Sequence, residues 1–196
     1  MSRDARRLVD GGNYHIVTRG IDRRILFRDK TDNQYFLDII RANLARFEIS
    51  IFHYCLMVNH VHLLVKVTKA TDLPKFMQIV LQGYAYYFRK RYLSVGFIFQ
   101  NRYKSRLINN DAYLLECGRY IERNPLRARI ALDLSKYSWS SYSIYAKGEQ
   151  NGIVKLLNPV YLDLAGTDEK RREVYINYVL QGRPYEDILD KEFHIK

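Results

Sequence analysis

Apolar residues recur along the chain with two spacings, and the shorter spacing predicts strands. Asn13–Arg19 alternates apolar and polar positions and is rich in β-branched and aromatic residues, which predicts a first strand. Ser50–Val58 and His60–Val67 are two apolar segments separated only by Asn59, which predicts a tight antiparallel hairpin. Gly96–Ile108 is predicted to be extended as well.

Two segments between these strands have the spacing of amphipathic helices. Thr31–Phe47 opens with a capping box formed by Thr31 and Gln34, and its apolar residues share one stripe. Asp72 is predicted to cap a second helix that ends near Arg91. The elements therefore follow the order β-α-β-β-α-β.

Further helices are predicted after this core. One begins at Asn110 or Asp111 and is expected to end near Asn124, because Pro125 disfavours a helical conformation in the residue before it. Another covers Asp168–Gln181 and has acidic residues in its first turn, where the helix dipole favours them.

This order predicts an α+β fold with a ferredoxin-like core, in which an antiparallel sheet carries two helices on one face. An extra helix and a C-terminal helical extension follow. Turn-forming residues concentrate at 147–152. We therefore predict one domain over residues 1–146 and an extension of unassigned role over residues 147–196.

The charge of the chain is uneven, and this points to a polyanionic partner. The net charge is +11, but residues 1–130 carry 23 Lys and Arg against 11 Asp and Glu, a net of +12, and the rest is close to neutral. A basic body of this kind is typical of nucleic-acid binding, although a solvated basic surface is the alternative. The 17 tyrosines and 9 phenylalanines favour nucleic acid, because bases stack on aromatic rings.

Composition excludes several classes of protein. Apolar residues make up 47% and charged residues 27%, which excludes a disordered or collagen-like chain. The longest apolar stretch, Ile51–Val67, is interrupted by histidines and an asparagine, so no membrane span is expected. Cys55 and Cys117 form no CxxC pair, and we expect two thiols in a reducing, cytoplasmic compartment.

His60 and His62 form the first chemical motif. Alternate residues of a strand share a face, so both imidazoles point the same way and could bind one divalent metal. A pair of polar residues on a half-exposed strand is the alternative, and the motif alone leaves both open. His15, His53 and His194 have no apparent partners in the sequence and are assigned to core or surface roles.

The helix predicted after Asn110 offers a nucleophile and a further ligand. At about 100° per residue, Tyr113, Tyr120 and Asn124 fall within roughly 40° of each other. A phenol beside a carboxamide, facing two imidazoles, would place a nucleophile next to a three-ligand metal site. Either tyrosine could instead pack on the sheet, and spacing leaves open which of them reacts.

Several longer segments carry a resemblance to a known family. They are HYCLMVNHVHLLV, GFIFQNRYKSRLINNDAYLLECGRYIERNPLRA, YSWSSY and YHIVTRGIDRRILFRD. Together these segments resemble the REP-associated tyrosine transposases, relatives of bacterial insertion-sequence enzymes within the single-tyrosine HUH (histidine, hydrophobic, histidine) superfamily. The resemblance runs from about Asn13 to Tyr145 and is weaker over the last fifty residues.

The resemblance implies roles for four residues. His60 and His62 would be metal ligands, Asn124 the third ligand, and Tyr120 the nucleophile, since it matches the tyrosine of the family's Tyr-x-x-x-Asn/Gln helix. Insertion-sequence relatives carry Gln where this chain has Asn124, and the shorter arm is expected to change the metal position. The family implies Mg²⁺ or Mn²⁺, although imidazole ligands alone are equally compatible with Zn²⁺ or Ni²⁺.

The resemblance also implies an activity and a partner. The activity is metal-dependent nicking and strand transfer of single-stranded or hairpin DNA of the REP type, through a covalent 5′-phosphotyrosine. The resemblance favours a monomer over a homodimer. We expect the protein to be located in the bacterial cytoplasm, at the nucleoid. Two alternatives stay open: a catalytically silent, domesticated binder of structured nucleic acid, and a metal-dependent hydrolase with water as nucleophile.

The residues expected to contact DNA are basic and lie on several predicted elements. They are Arg19, Arg23, Arg24, Arg89, Lys90, Arg91, Arg102, Lys104, Arg106, Arg119, Arg123 and Arg127. Arg102, Lys104 and Arg106 occupy alternate positions of the last predicted strand and would share a face.

Overall fold

The computed structural model describes residues 8–183 together with Asp190 and Phe193. Within residues 8–183, the regular structure consists of four strands, six α-helices and two short 3-10 helices. The strands are β1 (Asn13–Arg19), β2 (Ile49–Met57), β3 (His60–Val67) and β4 (Lys104–Ile108), and the helices are α1 (Lys30–Leu44), α2 (Asp72–Tyr92), α3 (Asp111–Arg127), α4 (Tyr142–Lys147), α5 (Pro159–Leu162) and α6 (Asp168–Leu180).

The strands form one antiparallel sheet in the order β2-β3-β1-β4. Together with the alternation of strands and helices, this order confirms the predicted α+β, ferredoxin-like core. The two inner strands, β1 and β3, are paired so that Val17 lies opposite His62 and Arg19 opposite His60. Opposite residues share a face, so the two histidines face the same way as Val17 and Arg19.

Helices cover both faces of the sheet. On one face, Ile16, Leu63 and Val65 share a core with residues of α1 and α2, among them Phe36 and Phe76. The other face packs against α3 in a second, smaller apolar cluster. That cluster includes Val17, Cys55, Leu64, Leu114, Cys117, Tyr120 and Ile121. The histidine motif therefore lies in the layer between β3 and α3.

The caps of the first two helices differ from the sequence prediction. Asp29 caps α1, because its side chain accepts a hydrogen bond from the Asp32 amide at 3.1 Å, so the predicted Thr31 capping box was wrong. The N-cap position of α2 is held by Thr71, not by Asp72 as predicted, and the Thr71 side chain makes no capping hydrogen bond. The carboxylate of Asp72 instead accepts a hydrogen bond from the Glu48 amide, which ties the helix to the segment before β2.

Helix α3 does not end before Pro125 as predicted but continues to Arg127. Proline has no N–H to donate to the carbonyl of Ile121, four residues earlier. The side-chain amide of Asn124 donates to that carbonyl at 3.4 Å and to the carbonyl of Tyr120 at 2.8 Å. Because a side chain replaces the missing donor, the helix can run through the proline.

The extension predicted to begin at residue 147 follows directly on α4, which ends at Lys147. Residues of α5 and α6, including Tyr161, Tyr175 and Val179, are buried in the same core cluster as the sheet. The domain boundary itself stays a prediction. Within the described part of the chain, no helix is both long and apolar enough to cross a membrane.

Candidate active site

His60 and His62 meet at the start of β3, with ring centroids 4.9 Å apart. His60 is 7% exposed and His62 fully buried. The Nδ1 atom of His60 lies 2.7 Å from Asn59 Oδ1, and that of His62 lies 3.0 Å from His15 Nε2. Both Nε2 atoms are buried and have no hydrogen-bond partner within the described structure. Two orphaned nitrogens at one place are the donor set that a metal ion would satisfy.

Burial keeps both rings neutral. It lowers the pKa of His60 to about 4, with the positive charge of Arg19 adding to the effect and the carboxylate of Asp190 opposing it. Burial likewise lowers the pKa of His62 well below its usual value, and His60 and His15 lower it further. Neutral imidazole is the form that binds a metal, so this environment suits metal ligation.

Helix α3 places Tyr120 beside these rings. Its ring is buried and its centroid lies 5.6 Å from that of His62, in an edge-on arrangement. Burial, reinforced by the Asp190 carboxylate, raises the pKa of the Tyr120 phenol well above its ordinary value. By contrast, the other tyrosine on the helix, Tyr113, is half-buried and lies under the guanidinium of Arg106.

Asn124 lies one helical turn beyond Tyr120. Since its amide nitrogen donates to the carbonyl of Tyr120, its Oδ1 is the atom that remains for a cation. Within the described residues, no group of three His, Cys, Asp or Glu side chains could hold a metal ion. An ion bound by His60 and His62 would therefore need a ligand of another type, and an amide oxygen such as that of Asn124 meets this requirement.

His15 is a site residue that the sequence analysis missed. It is 1% exposed, stacks on His62, and meets the ring of Tyr120 edge-on at 5.7 Å. Burial, with the nearby positive charge of Arg106, lowers the pKa of His15 to about 3. Only the register between β1 and β3 reveals this contact, because nothing in the local spacing of β1 distinguishes His15 from a core residue.

His53 also has partners that the sequence did not reveal, and they anchor α3. Its Nδ1 lies 2.8 Å from a carboxylate oxygen of Glu122, which also accepts from Ser141 Oγ at 2.6 Å. The other oxygen of Glu122 accepts from the hydroxyl of Tyr175 at 2.8 Å. Asn158 completes the cluster, 3.1 Å from His53 Nε2. This buried cluster fixes α3 against β2, α4 and α6.

His194 lies outside the described residues.

Two residues near the end of the chain enter the site, and no motif signalled them. The hydroxyl of Tyr120 donates to Asp190 Oδ1 at 2.9 Å, and Arg127 pairs with both oxygens of the same carboxylate. The ring of Phe193 meets His15 at 4.5 Å, and its backbone carbonyl accepts a hydrogen bond from Lys104. Asp190 and Phe193 therefore cover Tyr120. They also engage two basic side chains beside it, Arg127 and Lys104.

Eleven of the twelve basic residues expected to contact DNA face solvent at least in part. The exposed ones are Arg23, Arg89, Lys90, Arg91, Arg102 and Lys104, and the half-buried ones are Arg19, Arg24, Arg106, Arg123 and Arg127. Arg19, Lys104 and Arg106 lie on the sheet face that carries the histidines, as the strand registers show. Arg102 precedes β4, so the predicted row of three side chains on one strand is limited to Lys104 and Arg106.

Four of the twelve are committed to protein contacts. Arg119 is completely buried, pairs with Glu116 and donates to the carbonyl of Gln181, so the expectation that it contacts DNA was wrong. Arg91 pairs with Asp29 and Asp32. Arg123 donates to the carbonyls of Val179 and Leu180, and Arg127 pairs with Asp190.

Comparisons with known proteins identify two similar solved structures. A solved structure of a REP-associated tyrosine transposase bound to a REP hairpin superposes with a TM-score of 0.64 at 17% identity, covering 78% of this chain and 90% of that one. A structure described as a candidate transposase from Deinococcus radiodurans has a TM-score of 0.42 at 17% identity, covering 66% and 92%. No curated protein matches the sequence.

The first of these structures shows a shared fold, and a match to a family carries the identification further. Residues 8–124 match the family described as Transposase IS200 like. This range contains β1–β4 together with His60, His62, Tyr120 and Asn124. This match covers more than half of the 196 residues. The chain belongs to the IS200-like transposase family.

Proposed function

We propose that the protein is a metal-dependent endonuclease and strand transferase for single-stranded DNA of the REP hairpin type. The observation that carries this proposal is the pair of buried, unpartnered Nε2 atoms of His60 and His62 beside the phenol of Tyr120. The hairpin substrate is suggested by the solved transposase with the same fold, which is bound to a REP hairpin.

In the proposed reaction, Tyr120 Oη attacks the phosphorus of a DNA phosphodiester. A P–O bond forms to the phenol, the bond from phosphorus to the 3′-oxygen breaks, the phenol loses its proton and the departing oxygen gains one. The products are a 5′-phosphotyrosine and a free 3′-hydroxyl. Attack on the phosphotyrosine by another 3′-hydroxyl reverses the step and joins strands without an external energy source.

His60, His62 and Asn124 would hold a divalent ion, with Mg²⁺ or Mn²⁺ expected. When bound, such an ion acts as a Lewis acid on the phosphoryl oxygen. The chain itself orients the reacting groups: the Glu122 cluster fixes α3, and α3 holds Tyr120 beside the imidazoles. The guanidinium of Arg127, which pairs with Asp190, lies 5.5 Å from the ring centroid of Tyr120 and would add a positive charge near the reacting phosphate.

Two adjoining depressions support a path for the strand. The smaller, of about 180 Å³, lies beside the site, and the larger, of about 750 Å³, lies between α2 and the segment before β4. They share Gln100, Asn101 and Arg102. The exposed ring of Phe97 and the guanidinium of Arg89 line the larger one. A basic and aromatic surface of this kind suits unpaired nucleotides.

The test is covalent adduct formation in Mn²⁺ with labelled hairpin DNA from the protein's own genomic neighbourhood, analysed on denaturing gels. Wild type should form an adduct, Tyr120→Phe none, and the matched variant Tyr113→Phe a normal amount. Hairpin binding without an adduct in any variant would favour the silent binder. Cleavage that persists in Tyr120→Phe would identify water as the nucleophile and overturn the phosphotyrosine.

A further inference from the structure

His15 takes no part in the proposed chemistry, yet it makes the closest polar contact of His62. Its Nε2 lies 3.0 Å from His62 Nδ1, and the two ring planes are 27° apart. Both side chains are essentially inaccessible to solvent, at 1% and 0% exposure. Water therefore has little access to either ring, and the direction of this one hydrogen bond decides where the proton of His62 lies.

Only two directions are available to a pair of neutral imidazoles, because each ring carries one N–H. If His15 donates, His62 Nδ1 accepts, and His62 Nε2 carries a proton that points into the site without a partner. If His62 donates from Nδ1, its Nε2 keeps a lone pair, the form that can bind a metal.

His60 shows the same arrangement with a less ambiguous partner. Asn59 Nδ2 donates to the carbonyl of Arg23 at 3.3 Å, so Asn59 Oδ1 is the atom that faces His60. An amide oxygen can only accept, which places the proton of His60 on Nδ1. The buried Nε2 of His60 then carries a lone pair, as His62 Nε2 does when His62 donates from Nδ1.

We propose that His15 is a positioning residue that accepts a hydrogen bond from His62 Nδ1–H and thereby holds His62 Nε2 as a metal-binding lone pair. A hydrogen-bond acceptor on the ring nitrogen that does not bind the metal sets the tautomer and orientation of a ligand imidazole. Loss of that acceptor typically weakens metal binding by about 10–100-fold. The inference rests on the proposed function for the identity of the ligand, but its tautomer is a property of the metal-free protein.

Two variants and one control test the role. His15→Leu removes the acceptor, whereas His15→Gln keeps a side-chain oxygen at a similar reach. Ile16→Val is the matched control, since Ile16 is the next residue on β1, equally buried, and packs on the opposite face of the sheet. Thermal unfolding establishes that each variant is folded before binding is measured.

Two readouts are needed. The first is the ring ¹⁵N spectrum of the metal-free protein, in which wild-type His62 should be the Nδ1–H tautomer and His15→Leu should shift toward Nε2–H. The second is the Kd for Mn²⁺, measured from the EPR signal of the free ion. It should rise about 10–100-fold in His15→Leu and about tenfold or less in His15→Gln, and stay unchanged in Ile16→Val.

A wild-type His62 with its proton on Nε2 would overturn the proposal. So would a folded His15→Leu protein with wild-type tautomer and Mn²⁺ affinity. If His15→Leu does not fold, the tautomer of His62 in the wild-type protein still decides. If wild type binds no Mn²⁺ at all, the metal in the proposed function fails, and the spectrum alone decides the role of His15.

Discussion

The two faces of the sheet are built from alternate residues of the same strands, yet they bury different chemistry. Under α1 and α2, the strands contribute apolar side chains such as Ile16, Leu63 and Val65. Under α3, the strands contribute four buried histidines: His15, His53, His60 and His62. Burying an imidazole costs free energy unless its nitrogens are hydrogen-bonded, and the cost is larger when the ring is charged. The comparison suggests that the apolar face supplies stability and the polar face supplies the reactive groups.

The largest expected effects come from one substitution on each face of the sheet, compared for stability and for adduct formation. Phe76→Ala, on the buried face of α2, should lower the free energy of unfolding by about 3–5 kcal/mol, because it opens a cavity in the apolar core. Tyr120→Phe should change it by only about 1 kcal/mol, the worth of one hydrogen bond, while abolishing the adduct. Urea unfolding of both variants, with adduct yield measured per folded molecule, makes the comparison. Loss of chemistry in folded Phe76→Ala would contradict the division between the faces.

Acid should destabilise the histidine face of the metal-free protein. The folded-state pKa of His60 is about 4, below its unfolded value of 6.5. Its neutral ring therefore contributes stability in full above about pH 6.5, and this is lost as the pH falls toward about 4. The loss is on the order of 3 kcal/mol. Urea unfolding between pH 7.5 and 4.5 in EDTA measures the decline.

The variant His60→Gln is the control for this pH dependence, because it removes the titrating ring and keeps a polar side chain. Its stability should fall less steeply with acid than that of wild type, since carboxylates elsewhere contribute equally to both proteins. Parallel pH profiles for the two proteins would show that His60 contributes nothing.

Substitutions of two helical glycines, one on each face of the sheet, should change the stability by smaller amounts. A Cβ at Gly118 of α3 would lie 2.5 Å from His53 Nε2, and His53 is held in place by Glu122 and Asn158. Gly118→Ala should therefore cost about 1–3 kcal/mol. At Gly83 of α2 a Cβ would meet only Ile39 at 3.5 Å, so Gly83→Ala should stabilise by up to about 1 kcal/mol. Thermal unfolding of both variants tests the pair, and equal effects would be inconsistent with tight packing at α3.

The smallest predicted effect concerns the covering of the active site. Asp190→Ala removes the carboxylate that accepts from Tyr120 and pairs with Arg127, so it should lower the pKa of Tyr120 and free the guanidinium. Loss of such a charged hydrogen bond is expected to raise the rate of adduct formation by about tenfold. Asp38→Ala on α1 makes the same change of charge on the apolar side and should have no effect. A slower reaction in Asp190→Ala would indicate that this carboxylate assists the tyrosine.

Much of the fold was predictable because it depends on local patterns. The bounds of β1 and β3 follow from alternation and the short turn at Asn59. The prediction failed where a side chain replaces a backbone contact, as when Asn124 satisfies the carbonyl that Pro125 leaves open. It also failed for Arg119, because a basic residue on a helix gives no local sign that a carboxylate will bury it.

The sequence by itself determined the order of elements, the shared face of His60 and His62, and the basic character of the first 130 residues, since these depend on spacing and composition. Tertiary structure alone decided that His15 contacts His62, that His53 and Glu122 anchor α3, and that Asp190 reaches Tyr120. The physical reason is that each of these contacts joins residues 47 to 70 positions apart. Strand register and helix packing bring such residues together, and neither is encoded in the neighbourhood of any single residue.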